Sequence, residues 1–338
     1  MTGESPATRW LRRAATIPGY FAAAGLLIPL LPALAVAAAA VDLWRGGRFA
    51  RLRSVLFLAW YLACEVAGLL ACLALWIAGP LDAERAERWN FRLQCTWASA
   101  LFDALRRLFA LRLEVAGAEL GAGGPLLVLM RHASVVDSLL PTVLLSRRVA
   151  LRLRYVMKRE LLWDPCLDVV GQRLPNAFVR RGSGDGAAEI ASVAALARNL
   201  GRDEGVLIYP EGTRYTPERR RQVLARLAGS AEPRHVERAR ALQHLLPPRL
   251  GGMTALLEGA PEADVLLCVH CGLEGVRGLG DLWGGALVGR RIQVQFWRVP
   301  AAAIPREVPA RVDWLFEQWQ QLDRWLDAHL AEPDRVAA

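Results

Sequence analysis

The chain has 338 residues, 54% of them hydrophobic and 22% charged, and a net charge of +9. That much apolar side chain excludes intrinsic disorder and exceeds what a wholly water-soluble chain ordinarily carries. The 42 basic against 33 acidic residues predict an anionic partner: nucleic acid, a membrane surface or a phosphorylated substrate.

Two apolar segments open the chain. Residues 14–41 carry no charge and residues 54–79 carry only Glu65; each exceeds the roughly 20 residues a membrane helix needs, and the first is too long for a signal-peptide core. Arginines flank every end, at 9, 12 and 13, at 45, 48, 51 and 53, and at 85, 88 and 92. Two full spans would leave the middle group on the outer side, against the positive-inside tendency. Pro18, Pro29 and Pro32 are expected to interrupt the first helix. The expected arrangement is a helical pair dipped into one leaflet with its arginines on the cytoplasmic face; two ordinary spans are the alternative. Glu65 is costly facing lipid and is expected to snorkel or to bond the partner helix. Residues 1–85 are thus expected to anchor the chain, and 86–335 to form a separate domain.

Residues 86–109 repeat Trp89, Leu93, Trp97, Leu101 and Leu105 at helical spacing, a stripe that fits core packing or the membrane interface. Strands follow at 111–115, 125–130, 151–157, 205–209, 263–269 and 292–299. Helices are expected at 135–148, at 186–200 with Gly201 as its cap, and at about 309–331. Interleaved strands and helices predict an α/β sheet with helices on both faces. Cys268 and Cys271 form a C-x-x-C within the apolar run VLLCVHC. Residues three apart on a strand face opposite sides, which argues against a shared metal.

Ligands gather at the carboxyl ends of strands in open α/β sheets. Strand 125–130 runs into Arg131-His132-Ala-Ser-Val-Val-Asp137, and strand 205–209 into Pro210-Glu211-Gly212-Thr213-Arg214. A histidine at a strand end and an aspartate opening the next turn can form an imidazole held at Nδ1 by a carboxylate. The spacing alone also fits an aspartate that caps the helix beside a locally bonded histidine. Gly212 permits close backbone approach, and Arg214 suits a phosphate, or else lies in solvent. Ser134 reads as a helix cap rather than a nucleophile.

In order, these blocks resemble the lysophospholipid and glycerol-phosphate acyltransferase family. Its H-x4-D block matches His132 and Asp137, its G-x-x-F-x-x-R block matches Pro175 to Arg181 through Phe178, with proline in place of glycine, and its E-G-T-R block matches Glu211 to Arg214. Lys158-Arg-Glu-Leu161 looks like its K-x-E-L segment, and His244-Leu-Leu-Pro-Pro-Arg249 with the Trp-rich last helix looks like the branch that acylates 1-acylglycerol-3-phosphate. Arg131 stands where asparagine is usual, and VLLCVHCGLEG lacks the proline common in the fourth block.

The resemblance covers about residues 86–330. It implies a mixed, mostly parallel sheet and a catalytic domain over 86–335. It also implies transfer of a fatty acyl chain from a thioester, acyl-CoA or acyl-carrier protein, to 1-acyl-sn-glycerol-3-phosphate. His132 would be the general base and Asp137 its support. Lys158, Phe178, Arg181, Glu211, Gly212, Thr213 and Arg214 would form the substrate site, Glu211 by orienting the arginine or the turn. No metal or bound cofactor is expected, and the partners are membrane lipids and a lysophospholipid. The expected location is a bacterial inner membrane, with the catalytic domain cytoplasmic. Another lysophospholipid or lyso-aminolipid acceptor, and a non-catalytic membrane adaptor, are the competing readings. Nucleic-acid binding and serine hydrolysis lack their signatures.

Overall fold

A computed structural model describes residues 4–46, 48–78, 82–179, 186–229 and 232–330. Three long helices come first: α1 (Pro6–Trp44), α2 (Ala50–Ile77) and α3 (Ala83–Leu108). The rest alternates as β1 (Arg112–Ala116), β2 (Leu126–Met130), β3 (Arg152–Lys158), α4 (Pro165–Gly171), β4 (Ala177–Val179), α5 (Gly186–Leu196) and β5 (Glu204–Ile208). There follow α6 (Pro217–Ala228), α7 (Pro233–Ala241), α8 (Leu250–Gly259), β6 (Asp264–Cys271), α9 (Leu279–Trp283), β7 (Arg291–Val299) and α10 (Val308–Leu330).

The strands form one seven-stranded sheet in the order β1-β7-β6-β2-β5-β3-β4. Every pairing is parallel except β6 with β7. The sheet is therefore mixed and mostly parallel, as the resemblance implies. β2 and β5 lie at its centre and are buried throughout, which explains their unbroken apolar sequence. One face is covered by Phe57 of α2 and by Phe102 and Leu105 of α3. The other is covered by Val193 of α5, Leu256 of α8 and Trp319 of α10. Cys268 belongs to the first core and Cys271 to the second, so their side chains face opposite sides of β6.

Three local expectations change. α1 runs unbroken through Pro18, Pro29 and Pro32; its packing along α2 holds the axis where each proline removes a backbone hydrogen bond. The expected helix at 135–148 is a 3₁₀ turn, Val136–Leu139, followed by a π turn, Thr142–Ser146. Pro141 between them has no N–H to continue a regular ladder. α5 stops before Gly201, because Asn199 takes the left-handed conformation (φ 53°) in its place.

α1 and α2 are each long and apolar enough to cross a membrane. α2 lies against the sheet-bearing part over most of its length. Arg53 bonds the Leu108 carbonyl, Trp60 Nε1 donates to the Ala100 carbonyl at 3.1 Å, and Arg173 reaches the Cys72 carbonyl at 3.4 Å. Glu65 accepts from Trp97 Nε1 at 2.8 Å and from the Cys166 backbone N–H at 3.2 Å. It thus bonds α3 and α4 rather than its partner helix α1, and it neither snorkels nor meets lipid. Arg12 and Arg13 grip the fully buried Asp168 of α4 at 2.9 and 2.8 Å, and Arg51 binds Asp42 at 3.0 Å. Arg12 and Arg13 thus hold α1 to the domain, and Arg51 ties α2 to α1. α1 forms the outer layer, with Phe21, Leu26, Ile28 and Val36 exposed.

Candidate active site

β2 and β5 end side by side, and the two sequence blocks follow them directly. His132 Nδ1 lies 2.9 Å from Asp137 Oδ1. Asp137 Oδ2 accepts the backbone N–H groups of Ala133 and Ser134 at 2.6 and 2.7 Å. The carboxylate therefore both ties the turn and orients the imidazole, combining the two roles the spacing left open. Burial pushes the Asp137 carboxyl upward, but the hydrogen bonds and charges of His132 and His270 overcome it and hold the group well below the usual carboxylate range. Ser134 Oγ accepts from the Val136 N–H at 3.1 Å and donates to the Val276 carbonyl at 2.9 Å, a capping role.

Glu211 is buried and braces two loops rather than Arg214. Oε1 accepts the His132 N–H at 2.8 Å, and Oε2 accepts the Leu246 N–H at 3.0 Å. Burial pushes its carboxyl up to about 8, against the pull of those two N–H groups and of Arg131. A folded-state pKa above the unfolded one means stability present in acid and lost as pH rises through about 8. Wild-type Tm is therefore expected to fall between pH 6 and 9 more steeply than that of Glu211→Gln, as thermal melts across that range will read.

Gly212 has a φ of +67°, and a Cβ there would overlap the Arg249 guanidinium. The main chain of Arg249 is held there, its backbone N–H donating to the Pro210 carbonyl at 2.9 Å. Gly212→Ala is thus expected to cost about 1–3 kcal/mol in backbone strain alone, seen as a lowered Tm with Arg249 displaced. Thr213 Oγ1 accepts from Arg219. Arg214 donates to the Arg277 carbonyl.

A cavity of about 240 Å³ opens beside this turn. His132, Lys158 and Arg214 line it, with Trp97 of α3, Leu139 and Met157 among its apolar walls. Phe178 is buried in β4 against Gly171 of α4, in the core rather than on the cavity wall. Glu211, Gly212 and Thr213 shape the turn behind the wall. Arg181 lies outside the described residues.

Other residues stand at the site without a site role assigned to them from sequence. Tyr209 packs its ring 4.5 Å from that of His132, as the next residue after β5. The Trp97 stripe reads as core or membrane interface, yet Trp97 borders the cavity. Arg131 and His270 are fully buried behind the His132 turn.

Residues 112–244 match the family model described as Acyltransferase. The chain is 23% identical over 269 residues to the 1-acyl-sn-glycerol-3-phosphate acyltransferase epsilon of Mus musculus, across 76% of this chain and 72% of that protein. It also superposes on the crystal structure of the 1-acyl-sn-glycerophosphate (LPA) acyltransferase PlsC from Thermotoga maritima. That match has a TM-score of 0.55 at 12% identity, over 85% of this chain and 100% of the other. The matched segment makes residues 112–244 an acyltransferase-family domain, and the protein is an O-acyltransferase.

Proposed function

We propose that the enzyme moves a fatty acyl chain from a thioester, acyl-CoA or acyl-carrier protein, to 1-acyl-sn-glycerol-3-phosphate, giving phosphatidate for phospholipid synthesis. The observation that carries this reading is the His132–Asp137 contact of 2.9 Å at the edge of a largely apolar cavity that also holds Lys158 and Arg214. With Nδ1 held by Asp137, Nε2 of His132 takes the proton of the acceptor hydroxyl as its oxygen attacks the thioester carbonyl. The thiolate leaves with the donor and is protonated as the base is restored. No acyl-enzyme is needed, which agrees with Ser134 serving as a cap. The apolar walls suit an acyl chain, and the two cationic side chains suit a phosphate. The mouse and Thermotoga relatives, named for the same acceptor, favour it over other lysolipids.

Both acceptor and product live in a bilayer, and the helical pair fits that setting. Because α2 is bonded to the domain from Arg53 to Cys72, the pair lies along the domain's flank. That favours insertion of the exposed face of α1 into one leaflet over two perpendicular spans. The site would then open at a cytoplasmic surface, where anionic lipid attracts a basic protein; we place that surface on a bacterial inner membrane.

The test is acyl transfer by the purified full chain in mixed lipid micelles. Lysophosphatidate would compete with other lysophospholipids and a lyso-aminolipid, with acyl-CoA and acyl-carrier protein as separate donors and the products identified by mass. Phosphatidate as the main product is expected. A tenfold preference for another lysolipid would replace the acceptor, and no transfer from either donor by folded protein would favour the adaptor reading.

A further inference from the structure

Two of the places where the sequence leaves the family pattern are Arg131, before the histidine of the H-x4-D block, and the proline-free run around His270. In the structure these two residues interlock. β2 and β6 are parallel neighbours, and Met130 is in register with Cys268. Just beyond that pair, Arg131 donates through Nη1 to the His270 carbonyl, and His270 Nε2 lies 3.2 Å from the Arg131 carbonyl. Glu274 completes the clamp, pairing with Arg131 Nη1 while its other oxygen accepts the Gly272 N–H at 2.7 Å. The buried guanidinium is thereby neutralised, as a desolvated charge requires.

The free edge of this clamp is the His270 ring. Its Nε2 lies 3.5 Å from Asp137 Oδ2, and both side chains are fully buried. Nδ1 of His270 has no hydrogen-bond partner, so the tautomer that orphans no N–H carries its proton on Nε2. That N–H meets the Arg131 carbonyl at 3.2 Å, with Asp137 Oδ2 beside it at 3.5 Å. The Asp137 carboxylate thus sits between two imidazoles, with His132 on Oδ1 and His270 on the side of Oδ2. The two backbone N–H groups on Oδ2 come from the same tight turn as His132 itself. His270 is the contact that comes from a different element, the buried strand β6. It ties the carboxylate to the sheet rather than to the loop.

We propose that His270 is a positioning residue for acyl transfer: held by Arg131 and Glu274, it fixes the far side of the Asp137 carboxylate so that the near side stays aimed at His132. His270 touches no cavity-lining atom of the reaction and acts through Asp137. The proposal rests on the reading of His132 as general base.

The test compares three variants of the full chain in the same micelle assay, with His132→Ala as control. His270→Phe keeps a ring and loses the N–H. His270→Gln places an amide N–H near the position of Nε2, whereas His270→Asn places it near Nδ1, out of reach of Asp137. We expect kcat to fall about tenfold or more in the Phe and Asn variants, with both KM values within about twofold of wild type, and the Gln variant to recover most of the loss. If His270→Phe fails to fold, the Gln and Asn pair decides at matched Tm. Equal kcat in Gln and Asn, or wild-type kcat in Phe, with His132→Ala inactive, would overturn the positioning role alone. An active His132→Ala would overturn the general base and this proposal with it.

Discussion

His132→Ala is expected to lower kcat for acyl transfer by about three orders of magnitude, with the fold intact and the KM for lysophosphatidate nearly unchanged. The size follows from what the side chain alone supplies. Asp137 lies behind it, Tyr209 packs against its ring, and Glu211 holds its backbone N–H through Oε1. Only the ring is removed by the substitution, since the Glu211 bond is to the main chain and Asp137 keeps its two N–H partners. A positioned base of this kind contributes about 10²–10⁴-fold to proton transfer. The bonds that tie the turn survive, so the fold should persist, with Tm lowered by the loss of the partner on the buried Asp137 Oδ1. Single-turnover kinetics with labelled acyl-CoA, beside a thermal melt of the same preparation, will measure both quantities. A variant that keeps more than a tenth of the wild-type rate would mean the hydroxyl loses its proton elsewhere, and the general-base role would fall.

The parts of this site that sequence reveals are those made of consecutive residues. The unbroken apolar runs at 125–130 and 205–209 announce buried parallel strands, and polar blocks placed directly after them land at the sheet's carboxyl edge. His132, Asp137 and Arg214 follow from that logic. What sequence hides is whatever depends on residues far apart in the chain. Glu211 stands in a motif, yet its work is to tie the His132 turn to the Leu246 loop, and no local pattern encodes a partner 35 residues away. Arg249 over Gly212 and His270 behind Asp137 are hidden for the same reason. Phe178 illustrates the converse. Its block places it near the site, but in a three-residue edge strand its ring turns to the core under α4. The anchor is legible as apolar length and not as orientation. Glu65 looks like a charge stranded in a membrane segment until Trp97 and Cys166 are seen around it.

Asp137→Asn should be nearly as damaging to catalysis as loss of the histidine, for a different reason. The amide oxygen can still accept from Ala133 and Ser134, but its NH₂ then faces His132 Nδ1. Nδ1 must become the acceptor, which moves the ring proton to Nε2, and an Nε2 that already carries a proton cannot take one from the acceptor hydroxyl. A fall in kcat of about 10²–10³-fold is expected on that ground. Stability adds an independent readout. The carboxyl is held well below its usual range in the folded protein, so its contribution to stability is full above the unfolded-state value, near pH 4, and is lost as pH falls through the folded-state value. Wild type should therefore exceed Asp137→Asn in Tm by the widest margin above about pH 5, and the margin should narrow in acid. Asp137→Ala leaves two buried backbone N–H groups without an acceptor, and should be less stable than Asp137→Asn at every pH by about 1–3 kcal/mol for each orphaned group. If the Asn variant turned over at the wild-type rate, Asp137 would be only the cap of its turn. If instead its Tm margin did not change with pH, the carboxylate would not be the ionised group on which this account of the site depends.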